Sequence, residues 1–264
     1  MKLLRFEKAG KISFGVLDPM NGEIRETVGQ PFDGIRFAGD VHRLAEVRLL
    51  APVAPSKIVA VGLNYKDHAR EMGKKIPEEP LLFLKAPSAL NHPGADVVYP
   101  RATQRLDFEA ELAVVIGRVA RAVKESEAPS VILGYTGIND VTARDLQLKD
   151  GLYARAKGFD TFAPLGPWIE TELDPFALRV RCLVNGEIRQ DGNSREMAAS
   201  AFRLVEFVSH IMTLFPGDVI ATGTPPGVGP VKVGDVMTVE VEGVGSLTNR
   251  VVAPEPMRKG DSPI

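Results

Sequence analysis

Residues 106–116 constrain this chain more than any other stretch. In Leu106-Asp107-Phe108-Glu109-Ala110-Glu111-Leu112, acidic and apolar residues alternate with a period of two, and an unbroken apolar run, Ala113-Val114-Val115-Ile116, follows. The alternation predicts a β-strand with Glu109 and Glu111 side by side on one face and Asp107 one step earlier. The apolar run carries that strand into a core. Carboxylates at the lip of a buried strand do not stay ionised unless a cation or several donors compensate them. No Arg or Lys stands between Phe108 and Gly117. A metal ion is one compensation; an acidic strand face left in water is the other. A further acid, Asp140, is predicted at the end of a strand over 134–140, just before a helix capped by Thr142. That is a common place for a ligand-binding side chain.

Length and charge narrow the function classes. A chain of 264 residues suffices for one large domain, or for a main domain with a small appendage. The net charge is −2 and no long basic block occurs, so the electrostatic footprint of a nucleic-acid binder is missing. Cys182 is the single cysteine, which excludes an internal disulfide and fits a reducing compartment. Lys2, Arg5, Glu7 and Lys8 fall where a signal peptide needs an apolar core. No apolar run approaches the roughly 20 residues of a membrane span. The expectation is a soluble, cytoplasmic, globular protein with neither nucleic acid nor membrane as partner.

Three segments are expected: a small β-rich N-terminal domain over 1–50, a catalytic domain over 55–253 and a loose tail over 254–264. Ala51-Pro52-Val53-Ala54-Pro55 reads as a short linker. In the first segment, strands 12–17 and 23–28 flank an Asn21-Gly22 turn. In the second, a buried strand over 57–61 opens into a short helix near Asn64 or Tyr65. On that helix His68 and Glu71 share a face at i, i+3, as an oriented general base or as an exposed ion pair. The charged segment 73–80 would tether that helix as a mobile lid. Lys85 leaves a core strand over 81–84, snorkelling to solvent unless it faces the acids. A helix is predicted through Val131 and Leu133. Lys157 lies among Phe159, Phe162 and Trp168, where partial burial would demand a carboxylate partner. Cys182 falls in the apolar set of a strand over 177–184, as packing, before an Asn185-Gly186 hairpin turn. Ser200 should cap a helix to about Thr213, with Phe202, Val205, Val208 or Ser209, and Met212 on its buried stripe. The run Thr222-Gly223-Thr224-Pro225-Pro226-Gly227 is no phosphate cradle, because no Lys-Ser/Thr pair follows and prolines remove amide donors. It reads as a tight loop lining a pocket with its amides and the Thr224 hydroxyl.

Several of these stretches together resemble one family. They are Val61-Gly62-Leu63-Asn64-Tyr65 with His68 and Glu71, Phe83-Leu84-Lys85, Asp107 to Leu112, Gly134-Tyr135-Thr136 to Asp145, Lys157-Gly158-Phe159-Asp160, and Pro216-Gly217-Asp218 through Pro225. Their order and spacing over about 55–252 are similar to the fumarylacetoacetate hydrolase superfamily, in its short-chain members. The resemblance implies a mostly β fold with some α: a rolled mixed β-sheet with flanking helices, assembled as a homodimer or higher. It implies Mg²⁺ or Mn²⁺ held by Glu109, Glu111 and Asp140, with Asp107 not a ligand. It implies that Lys157 contacts substrate, that His68 and Glu71 form the lid dyad, and that Lys85, Gln147 and Thr224 line the pocket. The extra upstream aspartate ligand and separate catalytic histidine of the long animal hydrolase find no match here, which argues against fumarylacetoacetate itself.

Three carboxylates, one divalent ion and Lys157 would sum to about zero. Oxygen-only ligands suit Mg²⁺ or Mn²⁺ over Zn²⁺. A 2-oxo acid chelated through its keto and carboxylate oxygens would have its enolate stabilised. The implied reaction is isomerisation, with decarboxylation an option, of 2-hydroxyhepta-2,4-diene-1,7-dioate-type compounds from aromatic-acid breakdown. The alternatives are hydrolysis of an acylpyruvate, decarboxylation of oxaloacetate, or a non-catalytic metal- or acid-binding protein.

Overall fold

The computed structural model describes residues 1–256. Among them the architecture is mostly β, with mixed sheets and short flanking helices, of which Ala201–Ile211 is the longest. The main sheet is centred on Ala110–Ile116 and Ile132–Asn139, which pair antiparallel. Apart from Ile132 and Leu133 at one end, every residue of the two strands is buried, as their near-continuous apolar sequences require of strands covered on both faces. Val219–Ala221 pairs antiparallel with Ala110–Ile116 and parallel with Ile58–Gly62, which in turn pairs with the edge strand Leu81–Lys85.

A five-stranded sheet packs against this one, led by Arg179–Val184 and Val236–Val241. Val180, Cys182, Val239 and Val241 turn inward. At Gly137 an added Cβ would lie 3.1 Å from the Gly166 carbonyl of the neighbouring strand and in contact, at 3.5 Å, with Val239 Cγ1 of the second layer. The first strand, Lys2–Lys8, joins the main sheet through Ala163–Glu170. Leu4, Phe6, Leu17 and Ile24 form a small core of their own beneath the N-terminal strands, while Ala51 and Val53 belong to the large core.

Local expectations met tertiary overrides at four places. The acidic stretch is two strands, Leu106–Phe108 and Ala110–Ile116, with Glu109 at the corner between them. The first pairs with Thr142–Ala143 and Gly229–Val231 in a small separate sheet. At the corner the Glu109 N–H donates to Asn139 Oδ1 (2.9 Å) and its carbonyl accepts from Asp140 N (2.8 Å), leaving the regular ladder. The helix predicted through Val131 and Leu133 is instead a 3₁₀ turn, Glu125–Ser130, followed by the strand Ile132–Asn139. Pro129 removes a helical donor there, and pairing to the central strand decides the rest. Thr142 caps no helix: it sits in a strand, its hydroxyl donates to the Asp140 carbonyl (2.8 Å), and the helix runs Arg144–Asp150. On Ala201–Ile211 the buried stripe is Ala201, Leu204, Val205, Val208 and Ser209, so Phe202 and Met212 are only half-buried.

Other local signals did translate. Ser200 Oγ accepts from Arg203 N (3.1 Å) as an N-cap, and Asn185-Gly186 turns its hairpin with both φ positive, 54° and 82°. Of the tail expected over 254–264, residues 257–264 lie outside the described ones. No helix of the described residues is long and apolar enough to cross a membrane.

Candidate active site

Strand register brings the three acids together. Ala110 faces Asn139 and Glu111 faces Ile138, so the corner carrying Glu109 and the strand end carrying Asp140 meet. One oxygen from each of Glu109, Glu111 and Asp140 can be chosen so that all lie within 4.8 Å of one another, and the three residues are only 6%, 2% and 1% exposed.

Cations from distant parts of the chain converge on two of these acids. Lys157, ending the short helix Ala154–Lys157, donates to Glu109 Oε2 (2.7 Å) and Asp140 Oδ2 (2.5 Å). Lys85 donates to Asp140 Oδ1 (2.5 Å) and to the Val141 carbonyl (3.3 Å). Arg144 binds Glu109 through Nη2, Asp107 Oδ2 through Nε (2.8 Å) and Gln147 Oε1 through Nη1 (2.5 Å). Asp107 uses its other oxygen on Arg105 Nε (2.9 Å), so this acid is fully occupied by arginines. Lys85, expected on the pocket wall, is instead buried behind Asp140 and off the cavity. Its ammonium is spent on Asp140 and the adjoining carbonyl.

Glu111 has no such cation. Its one hydrogen bond among the described residues comes from the Gly223 N–H (2.8 Å). Burial, then the nearby Asp140 and Glu109 charges, push its carboxyl well above the usual carboxylate range. Burial also acts on Glu109, but Lys157 and Arg144 outweigh it and hold that carboxyl at about 2. Lys157 shows the reciprocal effect: burial opposes its charge, yet Asp140 and Glu109 raise its pKa. Glu111 is thus the one acid of the cluster to which no cation is bonded, and the three acids together offer an all-oxygen donor set. This fits a hard divalent ion such as Mg²⁺ or Mn²⁺.

The glycine-proline loop serves these acids with its amides. Gly223 has φ +95°, and an added Cβ would fall 2.8 Å from Asn64 Cβ and 3.2 Å from the Val61 carbonyl, so only glycine fits. Asn64 ties the strand end to that loop, donating to the Thr222 carbonyl (2.8 Å) and the Ala199 carbonyl (3.0 Å). Four residues on, Gly227 N donates to Glu71 Oε1 (3.1 Å). Thr224 lines the cavity, but its hydroxyl is engaged, donating to the Ala110 carbonyl (2.9 Å) and accepting from Gln190 Nε2 (2.7 Å).

Above the acids opens a cavity of about 280 Å³, at the small end of ligand pockets. His68, on the helix Lys66–Glu71, lines it at 7% exposure with Nδ1 3.0 Å from Glu71 Oε2. With Nδ1–H donated to that carboxylate, Nε2 keeps a lone pair. Gln147 also lines the cavity, and Phe83 and Tyr153 pack together on its wall with ring centroids 4.9 Å apart. Leu63 holds part of the wall in a left-handed conformation (φ 55°), a strained backbone of the kind found at functional sites. A larger hollow of 570 Å³ lies on the five-stranded sheet around Arg179, Arg181 and Glu240, and it holds no comparable acid cluster.

Residue reasoning had not assigned Arg144, Asn64 or Gly223. The available signal for Arg144 was its place three residues before Gln147 and four after Asp140, on the turn that follows an acid at a strand end.

Residues 57–252 match the family model described as fumarylacetoacetate (FAA) hydrolase C-terminal. The chain belongs to the fumarylacetoacetate hydrolase family. Residues 1–52 match a second model, described as Rv2993c-like, N-terminal. Within this family, the crystal structure of a 2-hydroxyhepta-2,4-diene-1,7-dioate isomerase from Mycobacterium marinum is 42% identical with a TM-score of 0.90, covering 97% of this chain and 100% of that one. Oxaloacetate tautomerase FAHD2A, mitochondrial, of Homo sapiens is 43% identical over 221 residues, 79% of this chain and 70% of the relative. A maleylpyruvate hydrolase from Sphingobium sp. SYK-6, in complex with manganese(II) ion and pyruvate, is 32% identical with a TM-score of 0.81, covering 97% of this chain and 100% of that one. The mixed-sheet, mostly β fold is therefore that of the family, whose named members include isomerases, tautomerases and hydrolases.

Proposed function

We propose that this chain is a divalent-metal-dependent enzyme of 2-oxo acids, which isomerises, with decarboxylation an option, 2-hydroxyhepta-2,4-diene-1,7-dioate-type compounds. The observation that carries this reading is the buried carboxylate of Glu111, left without a cation beneath a small-molecule cavity. Glu109, Glu111 and Asp140 would hold Mg²⁺ or Mn²⁺, and the manganese-bound relative supports that choice. When bound, the ion supplies a Lewis acid that stabilises negative charge developing on a keto oxygen.

The chain's own residues supply the rest. Lys157 fixes Glu109 and Asp140 and presents its charge to the substrate oxygens. His68 takes the proton of the enol hydroxyl through Nε2 and delivers it to a carbon of the diene as the 2-oxo group forms, while Glu71 holds the ring and stabilises its cationic form. Gln147 and Thr224 shape the pocket around the substrate. Isomerisation needs only this proton movement, and the isomerase and tautomerase names among the relatives describe such steps. The hydrolase relative supports a second reading, C–C hydrolysis of an acylpyruvate by water that His68 activates; decarboxylation of oxaloacetate would draw on the same charge stabilisation.

We assign catalysis to residues 55–253 and treat 1–50 as an appended β unit. We place the enzyme in aromatic-acid breakdown and in the cytoplasm, the latter supported by the lone buried Cys182. We take it to be a homodimer or higher assembly: Leu81 and Leu84 are exposed on an edge strand, where a partner would cover them.

Oxalate tests the reading, because it mimics a chelating 2-oxo acid. Calorimetry should detect binding with Mg²⁺ or Mn²⁺ and none after chelation; equal binding without metal would sink the proposal. His68→Ala should leave oxalate and metal affinity intact while turnover of 2-oxo diacids falls by about 10²- to 10⁴-fold. A wild-type rate in that variant would return His68 and Glu71 to a plain ion pair.

A further inference from the structure

We infer that Lys74 receives the second carboxylate of a dicarboxylate substrate, and so sets a preference for 2-oxo diacids over 2-oxo monoacids of equal length. The inference rests on the reading of the site just given. Three long cationic side chains line the cavity: Lys74, Arg144 and Lys157. Arg144 and Lys157 are committed to Asp107, Glu109 and Asp140. Lys74 has no salt bridge and no side-chain hydrogen bond among the described residues, and it is exposed at the rim while the acids are buried at the floor.

Its position is set by local structure rather than left to a loose loop. The helix Lys66–Glu71 ends through Met72 in a left-handed Gly73 (φ 63°). Gly73 N donates to the Arg70 carbonyl (3.1 Å) and Lys74 N to the Ala69 carbonyl (2.9 Å), the paired bonds of a Schellman cap. The cap turns the chain and mounts Lys74 directly beyond the helix that carries His68. Between floor and rim the walls are apolar, with Phe83 and Tyr153 paired and Met72 and Leu148 nearer the mouth. A polar floor, an apolar passage and an unpaired cation at the far end match a molecule with a 2-oxo acid head, a carbon chain and a terminal carboxylate.

Charge points the same way. Asp107, Glu109, Glu111 and Asp140 are formally balanced by Lys85, Arg105, Arg144 and Lys157. The cations of the floor are thus spent on its acids, and Lys74 is the cation of the cavity left to meet a second carboxylate.

The test compares 2-oxoheptanedioate with 2-oxoheptanoate, matched in length and differing only in the far carboxylate. Affinities are read by calorimetry with Mn²⁺ present, in wild type and in Lys74→Ala, Lys74→Arg and Lys74→Glu. An exposed ion pair is worth up to about 1 kcal/mol, so wild type should prefer the diacid by about fivefold. That preference should shrink with added salt, vanish in Lys74→Ala, persist in Lys74→Arg and reverse in Lys74→Glu, with monoacid affinity unchanged in Lys74→Ala and Lys74→Arg. Both acids binding while Lys74→Ala keeps the wild-type ratio would overturn the role of Lys74 alone. Neither acid binding with metal present would overturn the reading of the site together with it.

Discussion

Glu111→Gln is expected to weaken Mg²⁺ or Mn²⁺ binding at least about a hundredfold, and at the same time to stabilise the metal-free protein. The first effect follows from losing an anionic oxygen donor; removing groups that merely orient metal ligands already costs 10- to 100-fold. The second follows from the electrostatics of the three acids without metal. The Glu111 carboxyl is buried, has one amide donor and faces two other acids, so its folded-state pKa lies well above its ordinary 4.5. Between that value and the higher folded one, the folded chain holds a proton that the unfolded chain has released. Stability of the metal-free protein therefore falls as pH rises from about 4.5, by up to ~1.4 kcal/mol per pH unit.

Glu109 has the opposite sign. Its folded pKa of about 2 contributes stability present above 4.5 and lost as pH falls toward 2. Gln at 111 should abolish the loss at higher pH and keep the loss at lower pH. Metal titration and thermal melts with and without chelator, over a pH series, check both effects. Unchanged metal affinity, or a metal-free variant less stable than wild type at neutral pH, would contradict the ligand assignment.

Lys157→Met should be the most destabilising single change in the site. The ammonium bridges Glu109 and Asp140 and sits 5.1 Å from the Phe83 ring centroid. Met keeps most of the apolar stem against that ring but leaves two buried carboxylates short of charge. Breaking a buried pair from one side costs about 3–5 kcal/mol. Denaturant unfolding should show that loss in the metal-free variant. Saturating Mn²⁺ should restore part of it, since an ion at a thousandfold its Kd contributes about 4 kcal/mol. Turnover of 2-oxo diacids should stay below about 1% of wild type even with metal bound, because electrostatic donors at a reacting oxygen are typically worth 10²- to 10³-fold. A loss under 1 kcal/mol with normal turnover would show that Lys157 is neither structural support nor substrate contact.

Short-range patterns carried much of this molecule. Period-two alternation placed Glu111 in a buried strand and Glu109 at its mouth, and a strand-to-helix transition marked Asp140. The i, i+3 spacing of His68 and Glu71 translated into a 3.0 Å contact. The apolar alternation around Cys182, the Asn185-Gly186 turn and the Ser200 cap also read through, because each depends on dihedral preferences and neighbours a few residues away.

What depended on distant neighbours could not be read that way. The lack of Arg or Lys within the acidic stretch left metal or water as its compensation, with Lys157 expected to add one charge; in the fold Lys157 bonds Glu109 across 48 residues and Lys85 bonds Asp140 across 55. Thr142 looked like a helix cap until pairing with Asp107 drew it into a strand. Sequence alone thus determined which side chains carry the charge and which segments can bury them, since composition and periodicity are properties of the chain itself. The tertiary structure decided which of those charges are already neutralised and which one, Glu111, is left over. Coulomb energy in a buried site depends on distances that only strand register and long-range packing bring into being.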